Sequence, residues 1–375
     1  MLSRQHDSKE TFTADQVHAF RLRRHHLLDN TGKDLVTICR DVCGVQAQIM
    51  SAAQLQLWAR NHAITPAMVN DALWQKRSLV KTLLMRQTLH LVPAEDFPLY
   101  IGAQKNTRAR AVLSVMARLK ITREEADEFT GLILKVLDAG PAPHAMIVSA
   151  VRPRVGNRMR EWMDRVSSVV RLPVVEGLIC YGPGQANQAT FVRTEHWLPV
   201  HKPVDETQAR VEMLRRYLRA YGPATIKDFG HWCGISMAEA RAIRPLLDAE
   251  VWEQNGLLIL RSDLRALKKG PASDDSVHLL PYFDVYLLAH SVKDHLLHSR
   301  FYKRVYRNQG WISPVVLIDG QIAGVWKYQI SRRQIDIAIE LFERTNKKVR
   351  GQIEAQAHAV AGHFQLTPSI SFTSC

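Results

Sequence analysis

Two Gly-Pro steps, Gly140-Pro141 and Gly222-Pro223, punctuate this chain about eighty residues apart. Each follows a helical pattern, Val136-Leu137-Asp138-Ala139 in the first case and Tyr217-Leu218-Arg219-Ala220-Tyr221 in the second. Glycine accepts the positive φ that closes a helix, and proline presets the φ that opens the next. Each step therefore ends one helix and admits another. Hairpin signals come after both: Gly177 to Tyr181 with Thr190 to Arg193, and Val251 to Leu260 around Asn255-Gly256. Asn-Gly suits the two central positions of a hairpin turn, where both residues need positive φ. Repetition at this length is too long for a solenoid, whose repeats run about 20–50 residues. It points to tandem units of helices closed by a hairpin.

The preceding stretch has the same grammar. Helices are expected over 13–28, 34–43 (stopped by Gly44) and 49–60, and a fourth opens at Thr65-Pro66. Leu79 to Met85 and Thr88 to Val92 alternate well enough to pair as strands. Three helices and a hairpin is the winged-helix order, a variant of helix-turn-helix. A strongly basic helical segment, 98–118, leads onward. In the third unit Ala224 to Phe229, Trp232 to Ile235 and Ser236 to Glu239 read as helix-turn-helix, with Ser236 and Glu239 fitting a capping box. Beyond it Val277 to Leu288 is strand-like but broken by Pro281 and Asp284. Pro314 to Lys327 is a hairpin turning at Asp319-Gly320, and helices are expected over 334–345 and 347–362. The expectation is a mainly α fold with small β hairpins (α+β). Its parts are a polar tail at 1–10, winged-helix units at 11–120, 121–200 and 201–275, and an α/β extension at 276–375 packed on the third unit.

Lysine and arginine total 50 against 36 aspartates and glutamates, a net charge of +14 in 375 residues. Such an excess favours a polyanionic partner, since each phosphate contact releases counterions. The plainer alternative is a basic but inert surface. Five cysteines, none in a C-x-x-C pair, give no disulfide framework, and a reducing, cytoplasmic setting is expected. Cys39 and Cys43 read as core residues because nothing nearby completes a zinc spacing. The polar first ten residues lack a signal-peptide core, and no apolar run approaches the roughly 18 residues of a membrane span.

No P-loop, GxGxxG, nucleophile elbow or HExxH occurs. What stands out is an apolar stretch from Gly44 to Arg60 with four glutamines and no carboxylate. A buried amide without partners costs about 1–3 kcal/mol, so these amides are solvated, paired, or hold something in place. Gln46 and Gln48 would diverge by about 200° in a helix but face one way in extended or turn geometry. Just after the Gly44 stop they can point together into a cleft. Gln54 and Gln56 fall inside the helix and read as decoration.

Gly44-x-Gln46-Ala47-Gln48 with Leu57-Trp58-x-Arg60 resembles the signature of the AlkZ/YcaQ-like winged-helix DNA glycosylases. Arg86-Gln87-Thr88-Leu89-His90 resembles that family's wing segment, and Gly222-Pro223-Ala224-Thr225, Leu280 to Asp284 and Val315 to Gly320 continue the likeness in order. The resemblance implies three tandem winged helices in a C-shaped basic channel, and Gln46 and Gln48 as catalytic residues. It also implies an activity: hydrolysis of alkylated purine nucleosides in double-stranded DNA, with N7-alkylguanine first, N3-alkyladenine and interstrand crosslinks beyond it. Gln48 puts the chain nearer the AlkZ-type branch, since the YcaQ type carries Gln-x-Asp there. No cofactor or metal, no membrane and a monomeric state are expected.

His90 either orients a group near the channel or is a wing residue satisfied by backbone bonds, the second reading being favoured. Asp284 reads as a turn or cap residue with a place at the active cleft as its other reading. Arg21, Arg23, Arg24, Lys81, Arg86, Arg108, Arg110, Arg158 and Arg160 are candidate phosphate contacts, each with a solvated face as its plainer reading. The competing class is a non-enzymatic winged-helix regulator reading base edges in the major groove. Against it, the third unit's candidate recognition helix, Met237 to Leu247, is sparsely basic.

Overall fold

The computed structural model describes residues 12–28, 32–185, 188–270 and 276–374. The polar tail at 1–10, the boundary near residue 275 and Cys375 lie outside them. Punctuation read from the sequence recurs in three dimensions. Thr13, Thr122, Thr225 and Ser236 each cap a helix, at Ala14–Arg24, Arg123–Leu137, Ile226–Cys233 and Met237–Ile243, through reciprocal capping boxes. These bonds satisfy amides that the first helical turn leaves free. Thr65 caps Pro66–Trp74 with proline in the first turn, and Gly234, at φ 78°, closes the helix before Met237–Ile243. Asn255 and Gly256, both at positive φ, turn the strands Val251–Gln254 and Leu257–Leu260. The two Gly-Pro steps differ in their reason for glycine. Gly140 takes the expected positive φ, whereas Gly222 sits at φ −63° and is needed for room, since a Cβ there would lie 2.5 Å from Leu218 O.

The first and second units share a sheet. Its order is Val45–Gln46, Leu89–Pro93, Leu79–Leu83, Ile179–Gln185, Gln188–Arg193 and Ala142–Pro143. Lys81 opposite Tyr181 joins the two hairpins. The long helix Phe97–Ala117 packs against Glu206–Tyr221 of the third unit, with Tyr100, Ala103, Ala209 and Tyr217 in one core.

The C-terminal part departs from expectation in two ways. Residues 334–345, expected as a helix, form the strand Gln334–Leu341. Ile335, Ile337, Ile339 and Leu341 alternate with Asp336, Ala338 and Glu340 and are all buried, a period of two that β-branched side chains reinforce. The strand belongs to a five-stranded sheet whose last strand, Thr367–Ser374, runs parallel to it after the crossover helix Lys347–His363. This sheet packs on the first unit, contrary to the expected docking on the third. Leu55 and Trp58 enter one side of its core and Leu22 and Leu27 another. Contact with the third unit comes from residues 289–291, where Tyr217 Oη donates to Ala289 O at 3.0 Å and Ser291 N to Asp228 at 2.7 Å. No helix among the described residues is long and apolar enough to cross a membrane.

Candidate functional site

The helix Leu35–Asp41 stops at Cys43 and Gly44, with φ of 57° and 91°. A Cβ on Gly44 would sit 2.8 Å from Val92 Cγ1, so only glycine lets the chain reverse this close to the hairpin. It then runs extended: Val45 and Gln46 pair with Leu91 and His90, and Ala47 N donates to Leu89 O at 2.7 Å. The helix Met50–Trp58 begins immediately afterwards. Gln46 ends this short strand and is buried, whereas Gln48 lies in the bend that follows it and is exposed.

Both side chains are held by the tip of one hairpin. Arg86 Nη2 donates to Gln46 Oε1 at 2.9 Å, and Leu89 N donates to Gln48 Oε1 at 2.8 Å. A guanidinium and a backbone N–H can only donate, so each amide presents its oxygen to the hairpin, and its plane is set. Each carbonyl oxygen keeps a second lone pair. The tip itself is bent: Arg86 and Gln87 stand at φ 54° and 59°. Non-glycine residues at such φ cost about 1–3 kcal/mol and persist where the surroundings impose them.

Gln56, expected to decorate its helix, is instead fully buried. Its Nε2 donates to Gln46 O at 3.0 Å and approaches Tyr282 O at 3.4 Å. One turn on, Arg60 lies wholly inside the protein. Its two terminal nitrogens donate to Asp284 Oδ2 and Oδ1 at 2.9 and 2.8 Å, and Nη1 also reaches Gln56 O at 2.8 Å. Burial alone would lower the Arg60 pKa, but Asp284 more than reverses this and raises it. Asp284, one candidate for the cleft, is therefore a buried partner of Arg60 and the cap of Tyr286 N.

Gln46, His90 and Thr82 stand directly opposite one another on three strands, so their side chains share a face. His90 is buried with Nδ1 2.9 Å from Thr88 O. That carbonyl calls for a proton on Nδ1 and leaves Nε2 as an acceptor. Burial and then the Arg86 charge hold its pKa well below the usual histidine value. His90 Nε2, Thr82 Oγ1 and Arg86 Nη1 are buried without a protein partner, so the face beside Gln46 has unused polar capacity. Burial brings Arg86 down to about 10, which leaves it cationic at neutral pH.

Most of the candidate phosphate contacts have partners within the protein, some buried and some at the surface. Arg21 is buried with Nη2 on Pro223 O at 2.7 Å, and Arg108 is buried with its guanidinium on the carbonyls of Leu83 and Leu84. Arg23 bonds Gly270 O and Arg24 pairs with Asp263. Arg110 pairs with Glu239 at 3.1 Å, Arg158 with Glu125 at 2.8 Å, and Arg160 Nε donates to Arg152 O at 3.2 Å. Lys81 lies over Tyr181, 5.8 Å from the ring centre. Arg21 and Arg108 are buried ties between segments, whereas Arg110 and Arg158 form surface pairs and stay exposed. Arg86 is the one that the fold brings to Gln46. Sequence reasoning missed Lys293. Burial, then repulsion from Arg86, brings its amine down to about 7, while Nζ donates to Leu287 O at 2.9 Å. Its burial is wholly tertiary and has no local signal.

Cys39, Cys43, Cys180 and Cys233 are buried free thiols, and among the described residues no cluster of three metal-ligating side chains forms. Several histidines are also kept neutral. His25, His90 and His290 lie well below the usual value, with burial as the main cause in each. As pH falls through about 6.5 the unfolded chain takes up protons that these folded histidines refuse. Stability present above that pH is therefore lost below it, by up to about 1.4 kcal/mol per pH unit for each group. Urea midpoints should fall steadily from pH 7 to 5; a midpoint constant over that range would contradict the assignment.

A family model described as DNA glycosylase AlkZ-like matches residues 39–363. The interstrand DNA cross-link repair glycosylase of Streptomyces sahachiroi is 29% identical over 328 residues, which span 83% of this chain and 87% of that protein. The solved structure of the Streptomyces sahachiroi DNA glycosylase AlkZ matches with a TM-score of 0.82 at 27% identity, covering 96% of this chain and 100% of that one.

Proposed function

Because the chain belongs to the AlkZ-like DNA glycosylase family, we propose that it hydrolyses the N-glycosidic bond of cationic purine lesions in double-stranded DNA. N7-alkylguanine is the lead substrate, with N3-alkyladenine and interstrand crosslinks joined through such bonds as extensions. The observation that carries this reading is the anchoring of Gln46 and Gln48 by one hairpin tip, with their second lone pairs unused.

The chemistry suits amides. An N7-alkylated guanine is already cationic and leaves as a neutral base, so no general acid is needed. As the bond from N9 to C1′ breaks, positive charge develops on the sugar in an oxocarbenium-like transition state. Water adds at C1′ and loses a proton to solvent. Gln46 Oε1 and Gln48 Oε1 orient that water and face the developing charge, and dipoles set in advance need no reorganisation at the moment of reaction. Arg86 would oppose a cation so close by. A phosphate beside the lesion, approaching the half-buried Arg86 side chain, offsets that charge and registers the nucleotide against Gln46. Without a strong base or acid, unmodified purines are poor substrates. The enzyme works as a monomer in the cytoplasm and needs no cofactor.

The test is incubation with duplexes carrying one 7-methylguanine or one N7-linked interstrand crosslink. Heat-labile abasic sites in any sequence context are the expected outcome, with the crosslink assay deciding that extension separately. Protection of one defined sequence without base release would favour the regulator. Binding should also weaken steeply with salt, since log K falls by about 0.9 per phosphate contact for each decade of salt. Titrations between about 50 and 200 mM salt measure this; a flat response would remove phosphate contacts from the proposal.

A further inference from the structure

Three aromatic side chains meet beside the Gln-x-Gln segment on a surface the mechanism above does not use. Trp311 is 45% exposed, and its ring lies 6.0 Å from Tyr282 and 5.4 Å from Phe283. Tyr282 is half-buried, and its carbonyl is the second acceptor of Gln56 Nε2, whose first is Gln46 O. Ile49, the residue after Gln48, packs in the same cluster with Phe283 and Ile312. The backbone of Tyr282 is thus linked to that of Gln46 through the one side chain of Gln56.

The backbone that brings Trp311 onto the buried Phe283 is strained. Phe283 stands at φ 59°, an outlier for a bulky side chain. Its neighbour Asp284 is fixed in the buried pair with Arg60. Trp311 follows a tight turn with Gln309 at φ 58° and Gly310 at φ 77°, closed by Arg307 N donating to Trp311 O at 2.8 Å and by a bridge between Tyr306 and Ile312. Two loops from distant parts of the sequence each adopt an unfavourable conformation to bring one set of rings together. Such strain is tolerated where the surroundings over-determine it and clusters at ligand-binding positions.

The surroundings are cationic. Lys303 and Arg307 are exposed and have no carboxylate partner among the described residues, and the exposed Tyr302 stacks on Tyr306 at 4.8 Å. Aromatic faces interleaved with basic side chains are how proteins hold unpaired nucleotides, the rings stacking on bases and the cations tracking the backbone.

We propose that Trp311, backed by Tyr282 and Phe283, is a stacking subsite for a nucleobase of the substrate strand that loses its own stacking partner beside the lesion, with Lys303 and Arg307 on the flanking phosphates. The proposal rests on the glycosylase reading for its substrate. A displaced base leaves the duplex stack and gains the indole face instead, which keeps the lesion's sugar open to Gln46 and Gln48.

The test uses the full chain and a duplex with a stable abasic analogue flanked by 2-aminopurine, whose fluorescence reports stacking. Wild type should quench the probe on binding. Trp311→Ala should abolish the quenching, weaken binding about ten-fold and raise KM for 7-methylguanine duplex more than it lowers kcat. Trp311→Phe should retain most of the quenching. Trp311 is surface-exposed, so the variants should melt with wild type. A Trp311→Ala protein that binds, quenches and turns over as wild type does would overturn the subsite. So would a change in its sedimentation mass with DNA binding intact, which would make this a protein-docking face. If wild type releases no 7-methylguanine, the glycosylase reading fails, while the Trp311-dependent quenching still reports on the subsite.

Discussion

Replacing Gln46 and Gln48 together by alanine should slow release of 7-methylguanine by about a hundred- to a thousand-fold, the usual loss when a preorganised polar group facing transition-state charge is removed. Duplex affinity should change far less, because neither amide carries charge. The two positions differ in what truncation leaves behind. At Gln48 it frees the Leu89 amide beside an exposed site; at Gln46 it leaves Arg86 Nη2 buried without its acceptor. Gln46→Ala therefore perturbs the hairpin tip as well as the chemistry, and Gln48→Ala is the cleaner probe. Gln48→Glu keeps an oxygen for Leu89 N and should retain much more activity than alanine. Arg86→Met tests positioning: the Gln46 amide loses its donor, so kcat should fall, and stability should fall by the roughly 1–3 kcal/mol of a buried amide left without a partner. Single-turnover cleavage of a lesion duplex measures all of these, and full release by the double alanine variant would sink the amide mechanism.

How far the sequence could be read depends on the range of the interactions involved. The Ser236–Glu239 capping box, Asn255-Gly256, Thr65-Pro66 and the Gly44 stop each act within a few residues, and all appear where expected. The strand Gln334–Leu341 is equally local: its isoleucines alternate, and only the helix-forming alanine, glutamate and leucine among them favour the other reading. The bracing of the site is different in kind. Arg86 reaches Gln46 across 40 residues and Arg60 reaches Asp284 across 224. Nothing in the composition of either segment announces the other. Gln46 and Gln48 draw attention by spacing after a glycine stop, yet what makes them a site is a hairpin tip whose arginine reads, in sequence, like any other basic residue. Arg21 and Arg108 show the converse, since the same residue type at a junction becomes a buried tie between segments.

Asp284→Ala should cost about 3–5 kcal/mol, because it strips a buried guanidinium of its carboxylate partner. Arg60 cannot escape the charge by deprotonating, and its helix holds it between Gln56 and the C-terminal part of the chain. The first step of unfolding should be separation of the five-stranded sheet from the helix Met50–Trp58, whose Leu55 and Trp58 share its core. Urea unfolding followed by tryptophan fluorescence should show this, since Trp58 and Trp326 report from that core. A variant with both members replaced, Arg60→Met with Asp284→Leu, should recover much of the loss, as hydrophobic side chains of similar size often match a buried pair. Activity distinguishes this role from a place in the cleft. A reacting carboxylate would lose kcat at unchanged stability when made asparagine. The buried pair predicts the reverse: Asp284→Asn keeps Oδ1 as acceptor for Arg60 Nη2 and Tyr286 N while losing the acceptor for Arg60 Nη1, so it should be destabilising but less so than alanine, and its residual kcat should follow its residual fold. Wild-type melting by Asp284→Ala would remove the pair from the fold's supports. The strained Phe283 and the carbonyl of Tyr282 that Gln56 reaches would then need another anchor.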